Sequence, residues 1–341
     1  MRLISSLCLL VTASCTSGDW EDTETGTETA ALGKPCGLMC GSNSATVDGV
    51  RFWELHPNLP NSSGVSVVEV LDGFGDDAGT LRVVDGALAG VKNATVYPLF
   101  KNGRIIVYVE DSKTYHQLTV EEHATAKYWV APNATIPMRT SRIVATLLDE
   151  NMEPKRDPEE LCPDAAPGGL PDGHFVVFSG DRYEADRKTV KTGKDAGEWI
   201  NIACDGSAPM KLHANRHTSD SGDSPYIATN AERQAMLKMY VADYCGEGEE
   251  HTVNGHPLEI INDKSWAPSL SPGFVIKGKN QFLGLTSVES VEAVWDADGA
   301  LCLDEPRYAK KGDIKCELKS CFDWPNKSWK SHGSLLTGNP K

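Results

Sequence analysis

The number of cysteines constrains the fold of this chain more than any other feature of its sequence. The chain has 341 residues and ten cysteines, of which eight lie beyond residue 34. An even number of cysteines in an exported chain indicates up to four disulfides. The pairing stays open at this level, and the disulfide candidates are Cys36, Cys40, Cys162, Cys204, Cys245, Cys302, Cys316 and Cys321.

The alternative use of these thiols is zinc binding. Cys36-x3-Cys40 and Cys316-x4-Cys321 have spacings close to those of zinc ligands. Export argues against zinc, because an oxidising compartment converts such thiols into disulfides. We therefore expect no metal and no cofactor.

The N-terminus indicates that the chain is exported. A positive charge, Arg2, precedes an apolar run over residues 3–11, which is too short to span a bilayer as a helix. Residues 12–15, Thr-Ala-Ser-Cys, resemble a bacterial lipobox, although Thr12 stands where leucine is usual. We predict a signal peptide over residues 1–14 and a lipid on Cys15. The alternative is ordinary cleavage after Ala13.

The segment that follows is predicted to be an acidic disordered tether, residues 15–34. It is rich in Thr, Glu, Asp and Gly and has almost no apolar residues to bury. The whole chain carries a net charge of −15, which argues against a nucleic-acid partner because phosphates would be repelled. The expected partners are the bacterial membrane, reached through the lipid, and an unknown envelope or extracellular ligand.

The remainder of the chain is predicted to be mainly β (α+β), with disulfide-stapled antiparallel sheets and hairpins. Short apolar runs rich in β-branched residues alternate with turn signals, and residues 288–303 form the clearest hairpin, with its turn at 296–299. We divide this part into an N-terminal β-rich portion (35–150), a cysteine-bearing portion (151–308) and a cysteine-containing tail (309–341). The predicted strands lie within residues 102–111, 126–132, 141–149, 173–180, 198–204 and 256–263.

One main helix is predicted at about residues 229–245. Thr229 and Glu232 form a capping box at its start, and Met236, Met239 and Tyr240 form a packing stripe. Gly246 is predicted to end the helix, because glycine accepts a left-handed conformation without strain.

The C-terminal end of this helix is the main candidate site. Cys245, His251 and Asp243 have the side chains of a cysteine nucleophile with its base and orienting acid. A helix C-terminus disfavours the thiolate, however, so we favour a disulfide, most simply with Cys204. Asp243 would then need a partner, either loop amides or a cation, and Arg233 and Arg307 are the candidate cations.

Three further groups of residues have the composition of cation or metal sites. The carboxylates of Asp243, Glu247, Glu249 and Glu250 lie close together in sequence, and residues 72–79 form another acidic, glycine-rich loop. Neither has the spacing of a calcium-binding loop, so solvated acidic loops are favoured. The pair His213-x3-His217 lies in a segment without apolar periodicity, for which no helix and no zinc site are expected.

The region around the candidate site resembles the ADYC domain, a family of bacterial exported proteins. The resemblance rests on the stretch RQAMLKMYVADYCGEGEEHTVNGHPLEI at 233–260 and on two flanking stretches, at 200–212 and 291–308. It implies that two family cysteines are replaced here by Leu212 and Met236, and it implies no particular chemistry. The motif residues are Ala242, Asp243, Tyr244, Cys245, Gly246, His251 and Thr252.

Together these features predict an exported, lipid-anchored protein of the bacterial cell envelope, either periplasmic or surface-facing. The expected role is that of a non-catalytic binding or structural module. The alternative is a hydrolase of envelope polymers that uses a site near Cys245 and His251.

Overall fold

The computed structural model describes eleven segments of the chain. The signal peptide, Cys15, the tether, Cys36, Cys40 and Thr252 lie outside them, so the predictions on those residues are not addressed by the fold. The described residues are 44–129, 137–162, 169–184, 188–194, 196–221, 227–251, 258–262, 274–277, 288–307, 313–321 and 335–340.

The described chain is mainly β with two helices, which confirms the predicted fold class. No helix of the described part is long and apolar enough to cross a membrane. The strands up to residue 150 are β1 (Thr46–Val47), β2 (Val50–Arg51), β3 (Glu54–Leu55), β4 (Val65–Leu71), β5 (Thr80–Val84), β6 (Ala87–Lys92), β7 (Thr95–Pro98), β8 (Arg104–Val109), β9 (Thr114–Ala126) and β10 (Met138–Leu148). The later elements are β11 (Glu159–Glu160), β12 (His174–Phe178), β13 (Arg182–Glu184), β14 (Thr189–Lys191), β15 (Ile200–Cys204), α1 (Ala208–Ala214), α2 (Asn230–Val241), β16 (Leu258–Asn262), β17 (Phe274–Lys277), β18 (Val288–Asp296), β19 (Gly299–Leu303) and β20 (Leu335–Pro340).

An eight-stranded antiparallel sheet is the centre of the fold. Its strands are ordered β3-β15-β12-β10-β9-β8-β4, and β11 pairs with the free stretch of β10. The sheet takes strands from both sides of residue 150, so hydrogen-bonded pairing joins the two portions into which we divided the sequence. One predicted strand is wrong in part: β9 ends at Ala126, and residues 127–129 follow it without strand structure.

Two hydrophobic cores lie on opposite faces of this sheet, because successive strand residues point to opposite sides. The first core lies between the sheet and the three-stranded sheet β5-β6-β7, and we call it the N-terminal core. The second lies under α1, α2 and the β18–β19 hairpin, and we call it the helix-side core. The N-terminal core includes Phe52, Leu55, Leu81, Leu88, Ile105, Val107, Leu118, Ile143, Phe175 and Ile202. The helix-side core includes Val176, Phe178, Ala203, Leu212, Met236, Met239, Tyr240, Tyr244 and Trp295.

The second large sheet has the order β17-β16-β20-β18-β19. It contains the predicted hairpin, in which Asp296 pairs with Gly299 across the turn. β16 and β17 pair in parallel, and the other strand pairs of this sheet are antiparallel. The hairpin lies against α2 and brings the C-terminal half of the chain onto the helix-side core.

The main helix starts as predicted and ends earlier. Thr229 caps α2, and both hydrogen bonds of its capping box with Glu232 are present. The packing stripe Met236, Met239 and Tyr240 is buried. The helix ends at Val241, four residues before the predicted end, because Ala242, ahead of Gly246, already adopts the left-handed conformation.

A second, shorter helix was not predicted. α1 covers Ala208–Ala214 and therefore includes part of the segment for which we expected no helix. Its N-cap is Ser207, whose hydroxyl accepts from the amide of Met210 at 3.3 Å. The segment lacks helical periodicity because most of its residues are buried, whether they are polar or apolar. Leu212 and Met236, the two positions at which the family resemblance implies cysteines, are both fully buried in the helix-side core.

Three disulfides staple the described chain. They join Cys162 to Cys204, Cys245 to Cys316 and Cys302 to Cys321. The predicted Cys204–Cys245 pair is therefore wrong: β15 ends beside the Cys162 loop, while the end of α2 faces residues 313–321. Disulfides of this number indicate an oxidising, exported environment.

Candidate functional site: the turn after the main helix

The candidate site begins with a sharp turn at the end of α2. Ala242 has a φ of 53° and a ψ of 42°, and its amide donates to the carbonyl groups of Lys238 and Met239. A left-handed residue with a Cβ costs about 1–2 kcal/mol, so neighbouring contacts must hold it in place. The turn directs the residues after it back over the last turn of the helix.

Asp243 is held by a buried ion pair with Lys238. The Lys238 ammonium donates to Asp243 Oδ2 at 2.6 Å and to the Gly246 carbonyl at 2.8 Å, and the amide of Gly248 donates to the same carboxylate at 2.8 Å. Both side chains of the pair are at most 2% exposed. The expectation that Arg233 or Arg307 pairs with Asp243 is wrong, because the turn brings the carboxylate back onto its own helix.

Tyr244 forms a second buried network with Glu292 and Arg307. Its hydroxyl donates to Glu292 Oε1 at 2.6 Å and accepts from the amide of Arg307 at 3.2 Å, while Arg307 Nε donates to Glu292 Oε1 at 2.7 Å. Burial and the adjacent Glu292 carboxylate raise the pKa of Tyr244, so it stays a neutral donor. Burial lowers the pKa of Arg307, but Glu292 and Tyr244 together outweigh burial, so that the pKa is raised.

The Tyr244 ring lies between two other rings. It stacks on Trp295 with centroids 5.2 Å apart and lies 5.8 Å from the His251 ring at a 30° tilt. The Trp295 indole is fully buried and donates to Thr337 Oγ1 at 2.8 Å. The ring of Tyr244 therefore links the turn to β18 and β20, which are far from it in sequence.

Cys245 and Gly246 fasten the turn to two other parts of the chain. Cys245 is bonded to Cys316, whose amide also donates to the Cys245 sulfur at 3.2 Å. Gly246 has a φ of +73°, and a Cβ at this position would overlap the Asp298 carbonyl of the hairpin turn. Glycine is needed here for close approach to the hairpin, not to end the helix as predicted.

The catalytic arrangement considered from the sequence is not assembled. A sulfur in a disulfide is no nucleophile, and the carboxylate of Asp243 is engaged by Lys238 rather than by the imidazole of His251. His251 contributes a ring contact with Tyr244 and a backbone hydrogen bond to the Val241 carbonyl at 3.0 Å.

Two of the acidic residues after the turn pair with lysines from other parts of the fold. Glu250 pairs with Lys188 at 2.5 Å, and Glu249 pairs with Lys315. Among the described residues, no group of three or more histidine, cysteine or acidic side chains could hold a metal ion. The other acidic loop, residues 72–79, also uses its carboxylates locally: Asp72 accepts from two backbone amides and Asp77 pairs with Lys92.

A separate polar cluster lies beside α1 and α2. His213 Nδ1 is 3.2 Å from Thr218 Oγ1 and 3.7 Å from Asp220 Oδ1, and its ring stacks on Phe178 at 4.9 Å. His213 and His217 do not form a helical metal pair, because α1 ends at Ala214.

A buried ion pair lies beside this cluster. Asp181 and Arg233 pair at 3.0 Å, and burial raises the pKa of Asp181 in spite of that arginine. Burial also raises the pKa of Tyr183 well above its usual value. Arg233, which we expected near Asp243, is therefore used at the other end of α2.

The sequence did not single out several residues that build the candidate site. Glu292 and Trp295 lie on β18, far from the motif in sequence, whereas Lys238 lies five residues before Asp243 on α2. For Lys238 and Glu292 the one available signal was their charge, since a charged residue in an apolar helix or strand needs a partner when it is buried. The residues that were not singled out are Lys238, Glu292 and Trp295, while Arg307 was singled out as a partner of Asp243 and pairs with Glu292 instead.

Comparison with known proteins gives one match. The family model described as the ADYC domain matches residues 104–309, which is more than half of the chain. No curated protein and no solved structure matches the chain.

Proposed function

The chain belongs to the ADYC domain family, and from that premise we propose that it is an exported, non-catalytic binding or structural module of a bacterial cell envelope. The observation that carries the proposal is the burial of the motif. Ala242, Asp243 and Tyr244 are at most 1% exposed, and each is engaged within the fold. A buried motif of this kind stabilises the fold, so the residues that bind a ligand would lie elsewhere, on the protein surface.

The anchor is the second part of the proposal. A lipid on Cys15, followed by an acidic tether, would hold the module at the membrane and allow it to reach other envelope components. The supporting observations are the lipobox-like residues before Cys15 and the oxidising environment that the disulfides indicate.

The anchor is tested by fractionating cells that express the full chain. Wild-type protein is expected in the membrane fraction, with an intact mass that includes acyl chains. Cys15→Ser is expected in the soluble fraction, whereas Cys8→Ser, the matched control within the apolar run, should behave as the wild type. An unlipidated wild-type mass, with the same distribution for Cys15→Ser, would contradict the anchor.

The absence of cysteine catalysis is tested by alkylation. Native protein treated with iodoacetamide is expected to carry no label on Cys245 or Cys316, and both should become labelled after denaturation and reduction. Selective labelling of native Cys245 would restore the hydrolase alternative.

A further inference from the structure

Two phenylalanine side chains project into solvent beside the β4–β8 strand pair. Phe74 is 94% exposed and Phe100 is 64% exposed, which makes them the two most exposed large apolar side chains of the described residues. Phe74 lies in the loop that follows β4, and Phe100 lies in the turn that precedes β8. Both segments leave the sheet at the same end of this pair, because Leu71, at the end of β4, pairs with Arg104, at the start of β8.

These two segments touch each other, and we call residues 72–77 and 99–103 together the aromatic tip. A Cβ on Gly73 would lie 2.9 Å from the Lys101 carbonyl oxygen, which is closer than a side chain can lie without displacing that carbonyl. Glycine therefore allows the loop after β4 to pack directly against the turn before β8. The two phenylalanines, which are next to this contact in sequence, are close together as a result.

The backbone of the aromatic tip is fixed by hydrogen bonds. Asp72 Oδ1 accepts from the amides of Phe74 at 2.8 Å and Asp76 at 3.0 Å. In the turn, the amide of Gly103 donates to the Phe100 carbonyl at 2.8 Å. Burial of a phenylalanine is favourable, and the fold forgoes it at both positions while holding the backbone in place. This arrangement indicates a contact outside the molecule.

The shape of the aromatic tip favours a lipid surface over a protein surface. A ring that is 94% exposed projects outward and does not line a groove. A stable contact with a protein takes about 800 Å² from each partner, whereas the tip offers two rings flanked by glycine and charged residues. A bilayer requires no complementary pocket, because apolar rings become buried at the boundary between the headgroups and the acyl chains.

The charge of the aromatic tip suits a membrane surface without net charge. Asp77 pairs with Lys92 at 2.9 Å, and the Arg104 guanidinium lies close to Gly75. Three carboxylates and three cations therefore balance at the tip, on a chain whose net charge is −15. The rest of the chain repels anionic lipids, whereas zwitterionic lipids meet no such field. The six charged residues are Asp72, Asp76, Asp77, Lys92, Lys101 and Arg104.

The proposed anchor brings a membrane within reach of the aromatic tip. Ser44, the first described residue, follows Cys15 by 29 positions. A chain of that length can reach up to about 100 Å, which exceeds the diameter of a domain of about 300 residues. A lipid on Cys15 would therefore keep the bilayer at a high effective concentration, at which a weak insertion becomes effective.

We infer that the aromatic tip inserts Phe74 and Phe100 into a zwitterionic lipid surface, as a second and weaker membrane contact beside the lipid on Cys15. The inference rests on the proposed function, because the anchor supplies the membrane. Stable attachment takes two signals of this kind. Insertion of both rings also orients the module, with this end of β4 and β8 facing the bilayer.

The test is co-sedimentation of the full chain carrying Cys15→Ser, the parent variant, with phosphatidylcholine vesicles. Binding is expected at high lipid concentration, whereas the dilute conditions of cell fractionation leave the same variant soluble. Adding Phe74→Ala or Phe100→Ala should weaken binding about tenfold each, and both together about a hundredfold, with unchanged melting temperatures. Replacing half of the lipid with phosphatidylglycerol should also weaken binding, because the chain is acidic.

The matched control is Met152→Ala in the same parent. Met152 is 43% exposed, and its turn is fixed in the same way as the loop of the tip, since Asp149 Oδ1 accepts from the amides of Asn151 and Glu153. This turn follows the end of β10 that pairs with the start of β9, away from the start of β8. Removal of the Met152 side chain should therefore leave vesicle binding unchanged.

Equal binding by the parent and by the variant that lacks both phenylalanines overturns the inference, and so does a parent that binds no vesicles. Binding only to anionic vesicles would overturn it as well, as would a dimer in solution that loss of both phenylalanines abolishes. An acylated wild-type mass would leave the anchor standing in each of these cases. An unlipidated wild-type mass would contradict the anchor and leave the measured vesicle binding of the tip intact.

Discussion

Asp243 and Lys238 form an ion pair whose two members have almost no contact with water. Removing one charge of such a pair leaves the other buried without compensation, which costs about 3–5 kcal/mol. Water does not take the place of the Lys238 ammonium beside Asp243, because this ammonium also donates to the Gly246 carbonyl inside the turn. Each residue of the turn is therefore stabilised by the others.

Lys238→Met is expected to lower the free energy of unfolding by about 3–5 kcal/mol, because Asp243 stays buried and unpaired. Adding Asp243→Asn should recover part of that loss, since the amide carries no charge. Urea unfolding followed by circular dichroism measures both changes. Lys92→Met, which removes an exposed partner of Asp77, is the control and should have little effect. Equal losses in Lys238→Met and Lys92→Met would show that the buried pair is not important.

The residues of the turn could be predicted from the sequence only in part. The sequence identified Asp243, Tyr244, Cys245 and Gly246 as a group, and it placed them at the end of a helix. It could not identify their partners, because those depend on a left-handed alanine at 242, and sequence rules assign that conformation to glycine.

At the scale of elements, local signals succeeded where one residue pattern decides the structure. The capping box fixed the start of α2, and the Asp-Gly turn fixed the β18–β19 hairpin. Local sequence signals failed where tertiary contacts determine the structure of an element. Most residues of α1 are buried, polar and apolar alike, so the helix has no amphipathic pattern. The partners of Cys204 and Cys245 depend on which loops meet in space.

The two disulfides of the C-terminal part close loops of very different length. Cys245–Cys316 spans 71 residues and Cys302–Cys321 spans 19. In the chain-entropy model, a longer loop restricts the unfolded chain more, and this difference in length is worth about 1 kcal/mol.

Removal of the longer disulfide is therefore expected to cost more stability than removal of the shorter one. The paired variant Cys245→Ser with Cys316→Ser should lose about 1 kcal/mol more than Cys302→Ser with Cys321→Ser. Urea unfolding midpoints of the two oxidised double variants measure this order. The reverse order would mean that contacts in the folded state, rather than loop closure, determine the contribution of each disulfide.

For the whole molecule, the limits of the family match and the limits of the fold differ. The match begins at Arg104, the first residue of β8, and ends at residue 309. The eight-stranded sheet, however, includes β3 and β4, which precede the matched region. The N-terminal core likewise includes Phe52, Leu55 and Leu81, which also precede it. Two disulfides also use Cys316 and Cys321, which follow it.

A fragment limited to residues 104–309 is therefore expected not to fold cooperatively. It would expose the edge of β8 that pairs with β4, uncover Ile105 and Val107 in the N-terminal core, and leave Cys245 and Cys302 without partners. Exposed apolar surface of this kind binds the dye ANS, and a chain without fixed tertiary packing shows no sharp thermal transition. A fragment of residues 36–341, the matched control, keeps both cores and all three described disulfides and should melt as the full chain does. A cooperative transition in the 104–309 fragment, without ANS binding, would show that the matched region folds without β3, β4 and the C-terminal cysteines.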